Sequence, residues 1–218
     1  MTLNSDQVLS IAAETRLFAT VRLKSETEAQ LAVQALVEGG VRLVEVTLTT
    51  PGALNVIADW RDHPDIIVGA GSILDVDMAR QSLAAGARYL VSPHTELDVI
   101  RLGCEHGALV AAGAATPTEM MNAMRAGAHI IKVFPAQQLG GPGYLKAVLA
   151  PLPFLRLMPT GGVEVGNALD YLQAGAFCVG LGGRLVDGEL VAAGDRAGLV
   201  ARAREARAAV APAGLAKR

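Results

Sequence analysis

Leu17-Phe18-Ala19-Thr20-Val21-Arg22-Leu23-Lys24-Ser25-Glu26 runs from an apolar segment straight into a charged turn that contains no glycine. An open, doubly wound parallel sheet that binds nucleotides usually follows its first strand with a glycine-rich turn. Its absence decides between two architectures that the rest of the chain would otherwise share. Further along, apolar runs recur roughly every 20–25 residues, at Leu17–Val21, Leu43–Leu48, Ile66–Val68, Tyr89–Ser92, Leu109–Ala112, Ile130–Phe134, Leu155–Met158 and Phe177–Val179. Amphipathic stretches such as Glu26–Glu38, Val76–Ala85, Glu96–His106, Pro117–Ala126 and Asn167–Ala174 lie between them. Gly39, Gly86, Gly107, Gly127 and Gly175 stand where a helix C-cap belongs, as expected from the left-handed conformation that glycine tolerates. Alternating strand and helix signals of this kind mean repeated βα units. The reading is a (β/α)₈ barrel of the TIM type, one domain over residues 1–209, with a flexible tail at 210–218.

Composition narrows the partners. The chain has 218 residues, 51% of them hydrophobic but only 4% aromatic, so Ala, Val, Leu and Ile build the core, as in a parallel sheet covered by helices. A formal net charge of −2 leaves no basic field for nucleic acid. No apolar run approaches the length of a membrane span, and Met1–Gln7 lacks the apolar core of a signal peptide. Cys104 and Cys178 are the two cysteines, too few for a disulfide framework. A cytoplasmic protein acting on a small molecule is expected. His63, His94, His106 and His129 show no metal-ligand spacing and no carboxylate cluster suits a divalent cation, so neither a metal nor an organic cofactor is expected. His94, near the barrel mouth, remains a minor contact at most.

In a barrel the chemistry gathers at the C-terminal ends of the strands. Those ends carry Arg22; Glu45, Thr47 and Thr49; Ser72; Pro93; Lys132 and Phe134; Thr160, Gly161 and Gly162; and Gly182, Gly183 and Arg184. Lys132 stands out among four lysines, because Ile130-Ile131-Lys132-Val133-Phe134 surrounds it with apolar residues. Strand alternation puts Ile130, Lys132 and Phe134 on one face and Ile131 and Val133 on the other. The helix-facing side must be apolar, so Lys132 points into the barrel. Two readings follow. It is a structural partner of Glu45 in a buried ion pair, or it is a nucleophile, since the neutral amine attacks carbonyls and burial favours neutral amines. Glu45 is the one acidic residue on an inward-facing strand end, placed to move the protons that Schiff-base chemistry requires. The glycine pairs after the seventh and eighth strands occupy the usual phosphate position of barrels. Arg184 either adds a charge-assisted contact there or is a solvated side chain.

Six motifs, in order, carry a resemblance to a known family: Glu45-Val46-Thr47-Leu48, Val68-Gly69-Ala70-Gly71-Ser72, Ala115-Thr116-Pro117-Thr118-Glu119, Ile131-Lys132-Val133-Phe134-Pro135-Ala136, Tyr144-Leu145-Lys146-Ala147 and Pro159-Thr160-Gly161-Gly162-Val163. From about Arg16 to Arg204 the chain resembles the 2-keto-3-deoxy-6-phosphogluconate (KDPG) and 4-hydroxy-2-oxoglutarate (KHG) aldolases. The resemblance implies a class I, metal-independent lyase that splits a 2-keto-3-deoxy (phospho)sugar acid into pyruvate and an aldehyde, as a homotrimer. It implies Lys132 as the Schiff-base lysine, Glu45 as acid/base, Phe134 as a wall beside the imine, and Thr160, Gly161 and Gly162 as substrate borders. Departures are visible too. Thr49 stands where gluconate-type enzymes carry a carboxylate-gripping arginine, while Arg22 matches an arginine of galactonate-type relatives. Ser72 replaces a threonine and keeps its hydroxyl. Arg184 replaces a serine of the phosphate loop, where it either strengthens phosphate binding or fills the pocket. A phosphosugar isomerase or epimerase on the same barrel, or a silent metabolite-binding barrel, would explain the glycine pairs but gives Lys132 no purpose.

Overall fold

The computed structural model describes residues 3–211. Eight parallel strands run β1 (Leu17–Val21), β2 (Leu43–Thr47), β3 (Ile67–Gly71), β4 (Tyr89–Val91), β5 (Leu109–Ala114), β6 (Ile130–Val133), β7 (Leu157–Pro159) and β8 (Val179–Leu181). Sequential neighbours pair from β1 to β7, and β8 pairs with β1. Between β7 and β8 the closure is thinner: a single parallel bridge, Thr160 with Gly180, and a bond from Phe177 N–H to the Leu157 carbonyl at 2.8 Å. The (β/α)₈ barrel is therefore shut at a narrow seam.

Helices cover the outside: α2 (Glu26–Glu38), α3 (Ala53–Trp60), α4 (Val76–Ala85), α5 (Leu97–Glu105), α6 (Pro117–Arg125), α7 (Gly141–Leu149), α8 (Ala168–Gln173), α9 (Gly188–Ala192) and α10 (Arg196–Val210). They are preceded by α1 (Ser5–Thr15). The sequence sets these helices locally. Ser25, Asp75 and Thr116 cap α2, α4 and α6 through side-chain oxygens, and Thr116 with Glu119 completes a capping box behind Pro117 at the first turn, each satisfying backbone N–H groups that a helix start leaves free. Four of the five expected cap glycines adopt positive φ; at the end of α2 that conformation falls on Gly40 instead of Gly39. The last helix extends to Val210, one residue past the expected domain limit. Residues 212–218 of the expected tail lie outside the described residues.

Period-2 patterning divides the core into two layers. Leu17, Ala19, Val21, Val44, Val46, Ile131 and Val133 pack outward against the helices. Phe18, Leu43, Ile67, Tyr89, Leu109, Ile130, Met158 and Cys178 fill the barrel interior, where Val8 and Ala12 of α1 join them. The amphipathic N-terminal helix thus plugs the bottom of the barrel, capped in its turn by a box between Asn4 and Gln7. The interior is apolar at that end and polar at the other.

Candidate active site

The polar end begins one layer above the plug. Inward positions there hold Thr20 on β1, Glu45 on β2 and Lys132 on β6, all brought to the same side of their strands by alternation. Lys132 is 5% exposed and Glu45 1% exposed. The Lys132 ammonium lies 5.3 Å from the centre of the Phe134 ring, within the range of a cation–π contact. No carboxylate pairs with Lys132 among the described residues, so the buried ion pair with Glu45 is not formed. Glu45 instead accepts a hydrogen bond at Oε2 from Thr20 Oγ1 at 3.2 Å, while its buried Oε1 has no partner. Gly71 makes this possible. A Cβ there would overlap the Glu45 carboxyl.

A cavity of about 310 Å³ opens above this layer, lined by Thr20, Arg22, Lys132, Phe134, Thr160, Gly161, Gly162, Val163, Gly180, Gly182, Gly183 and Val186. Eight of the residues singled out in the sequence therefore meet in one place: Arg22, Lys132, Phe134, Thr160, Gly161, Gly162, Gly182 and Gly183. Arg22 reaches across the mouth to donate from Nη2 to Ser72 Oγ at 3.3 Å. Ser72 holds a left-handed φ of 59°, a conformation rare for a residue with a side chain and often found at functional positions. Thr160 Oγ1 is buried without a partner. Gly161 and Gly162 turn at φ 87° and 78°. Their N–H groups, with that of Gly183, donate to no protein acceptor among the described residues.

Other expected residues sit elsewhere. Thr47 is buried, and its hydroxyl donates to the Val21 carbonyl at 3.2 Å and contacts Thr49 Oγ1 at 2.9 Å. Those two threonines tie the β2–α3 turn to the end of β1, outside the cavity lining. The Pro93 turn packs on the backbone of Gly113, and exposed His94 gives its carbonyl to Ser92 Oγ at 2.7 Å. Arg184 turns outward, 74% exposed, to pair with Glu164 Oε1 at 3.1 Å. It does not fill the pocket. Thr20, Val163, Gly180 and Val186 were not anticipated. Thr20 had a signal, being a polar residue two positions before Arg22 on the same strand face. No group of three or more His, Cys, Asp or Glu side chains clusters as a metal site among the described residues, and no helix there is long and apolar enough to cross a membrane.

A buried, carboxylate-free lysine at a barrel mouth can be compared with proteins of known activity. A family profile described as KDPG and KHG aldolase matches residues 8–201. The chain belongs to that family. The 2-dehydro-3-deoxy-phosphogluconate aldolase of Treponema pallidum is 35% identical over 181 residues, covering 83% of this chain and 86% of its own. The KHG/KDPG aldolase of Escherichia coli is 37% identical over 175 residues, covering 79% and 82%. Among solved structures, the KDPG aldolase of Legionella pneumophila, holding pyruvate as a covalent carbinolamine, superposes with a TM-score of 0.84 at 27% identity, over 94% of this chain and 98% of that one. The protein is a class I aldolase, a carbon–carbon lyase of the aldehyde-lyase kind.

Proposed function

We propose that Lys132 is the nucleophile of this aldolase and that its substrate is a phosphorylated 2-keto-3-deoxy sugar acid. The observation that carries the reading is the setting of Lys132: buried, facing the cavity, beside Phe134, with no carboxylate bound to its nitrogen. Nζ adds to the C2 carbonyl and gives a carbinolamine, which loses water to form an iminium. Glu45 then accepts the proton of the C4 hydroxyl. The C3–C4 bond breaks, its electron pair passes into the iminium as an enamine, and the aldehyde leaves. Protonation of the enamine carbon and hydrolysis of the new iminium release pyruvate and free Lys132. A single carboxyl alternating as base and acid serves each of these transfers. Thr20 orients that carboxyl, and Phe134 shields the imine from water.

The ends of the cavity divide the substrate between two anion sites. Arg22, with Ser72 bonded to it, supplies donors for the keto-acid carboxylate at one side. Free N–H groups of Gly161, Gly162 and Gly183 supply a phosphate cradle at the other, the position barrels use most often. Phosphate is favoured over an unphosphorylated chain because Arg184 leaves the cradle open instead of occupying it. Thr160, its buried hydroxyl set against Gly180 at the barrel seam, borders the cavity beside the cradle. KDPG and its galactonate epimer, which carry the same terminal phosphate, fit this description equally, and KHG, which ends in a carboxylate, fits it less well.

Incubation with pyruvate and borohydride, followed by digestion and mass spectrometry, tests the mechanism. The reduced pyruvyl adduct is expected on Lys132, and its absence there would overturn the Schiff-base assignment. Pyruvate release from a panel of phosphorylated and unphosphorylated keto acids then ranks the substrates. The same proposal takes the enzyme as a homotrimer in a reducing cytoplasm. Unpaired Cys104 and Cys178 and the exposed apolar side chains Phe154 and Leu74, 56% and 49% accessible, support it, since association would cover the latter. Light scattering that gave a monomer mass would refute the trimer.

A further inference from the structure

Two buried polar atoms on the same interior face have no partner among the described residues: Oε1 of Glu45 and the phenol oxygen of Tyr89. Buried polar groups in folded proteins are nearly always satisfied, so an orphaned pair in one compartment asks for a connection. The strand register places them in one row. Glu45 pairs with Gly69, and the β3–β4 register (Ala70 with Leu90) sets Gly69 beside Tyr89. β2 and β4 are thus separated by one strand whose inward residue is glycine, a Cα-to-Cα gap of roughly 9–10 Å. Both side chains lean into that gap. A Cβ on Gly69 would overlap the Tyr89 ring, and one on Gly71 would overlap the Glu45 carboxyl. Tyr89 also packs against Phe18 in a T-shaped contact, with ring centres 5.2 Å apart at 88°.

We infer that Tyr89 is a positioning residue for Glu45, its hydroxyl directed through one buried water at Oε1 while Thr20 holds Oε2. This rests on the proposed role of Glu45 in proton transfer. A water bonded to both groups satisfies two orphaned atoms at once and leaves the carboxyl fixed at both oxygens beneath Lys132. The phenol is suited to donate. Burial first, and the nearby Glu45 charge second, push its ionisation well above the usual range, so it keeps its proton. The other ionisable groups facing the same space are Lys132 on β6, Arg22 beyond β1 and Cys178 on β8, whose thiol burial drives well above its ordinary value. β3, β5 and β7 present Gly69, Gly71, Ala111 and Met158 there, none of them ionisable, and α1 closes the floor with Val8 and Ala12.

A donor to a carboxylate favours its charged form, so removing the donor should move the acidic limb of the rate profile upward. Tyr89→Phe keeps the ring and should lower kcat about fivefold to tenfold, shift the acidic limb of kcat up by about half a unit to one unit, and leave KM within about twofold. Site-specific 3-fluorotyrosine at position 89, a stronger donor of the same shape, should move that limb the other way. A limb unmoved in both variants, with Tyr89→Phe as stable as the parent or more so, would overturn the inference and leave the hydroxyl a packing accident. Glu45→Gln distinguishes the two levels. If it retains turnover, the parent assignment of Glu45 fails. If it is inactive while the Tyr89 variants keep the parent profile, only the bridge fails.

Discussion

Thr20 Oγ1 donates to Oε2 of Glu45 across 3.2 Å, joining adjacent strands at the level of the buried lysine. β1 and β2 align Thr20 with Glu45 directly, so the contact follows from parallel register and not from loop geometry. It is as rigid as the sheet.

Thr20→Val removes the hydroxyl at nearly constant volume and leaves a buried carboxylate oxygen unpaired. A lost bond to a charged group costs about 1–3 kcal/mol, so kcat should fall between about fivefold and a hundredfold with KM little changed. Steady-state kinetics on the preferred keto acid check this. A kcat within twofold of the parent would show that Glu45 is held by something else.

Gly71→Ala tests the space beside that carboxyl. Gly71 lies in regular strand, yet an added methyl meets the Glu45 side chain. Overpacking of this kind costs about 1–3 kcal/mol. Activity should drop further than stability, because the displaced group is the proposed proton carrier. Thermal melting measured beside kcat separates the two.

Arg184→Ser opens the phosphate question. The Arg184–Glu164 pair is largely exposed and worth at most about 1 kcal/mol, so the melting temperature should stay within a few degrees. If a phosphate recruits Arg184 away from Glu164, KM should rise for phosphorylated substrates alone. Equal loss across phosphorylated and unphosphorylated substrates would remove any phosphate role.

Glu119 supplies a pH-dependent cap. The backbone N–H of Ala115, at 2.8 Å, and then the Thr116 hydroxyl hold its carboxyl below the usual value of 4.5. A depressed folded-state pKa adds stability that is present above the ordinary carboxylate range and fades as pH falls through the lowered one. Glu119→Gln should therefore melt below the parent at pH 7, and the gap should shrink steadily under acid. A gap constant from pH 7 to pH 3 would exclude the carboxylate as its source.

Much of the barrel was legible because its signals are local. Glu26–Glu38 and Val76–Ala85 match α2 and α4 to the residue, both opened by serine or aspartate caps that act within one turn. The apolar run Ile66–Val68 stops short of the end of β3, which spans Ile67–Gly71. Gly69-Ala70-Gly71 has the composition of a turn. It is strand because Tyr89 and Glu45, from the neighbouring strands, need the space that glycine leaves, a tertiary reason invisible in sequence. Similarly, β8 begins at Val179 instead of Phe177, shifted by pairing with β1. Lys132, Phe134 and the glycine pairs could be placed because alternation and strand ends are local facts. Thr47 and Thr49 could not, since their hydroxyls are consumed by Val21 and by each other. Nor could Arg184, whose partner Glu164 belongs to a different loop. The plugging role of α1 also needed the folded barrel to become visible.

The seam between β7 and β8 has a consequence for how such an enzyme diversifies. Six consecutive strands, fully laddered, hold the groups proposed to make and break bonds. The pair closed by one bridge at Thr160 and Gly180 carries the glycine turns proposed to meet the far half of the substrate. At Gly183, where an added Cβ would meet nothing, a mutation is expected to alter what aldehyde fits without moving the lysine, whereas Gly161 lies against Phe134 and lacks that freedom. The groups proposed for bond making and the turns proposed for the aldehyde thus lie on different parts of one closed sheet, and a substitution at Gly183 is expected to change the preferred aldehyde while the reaction stays the same.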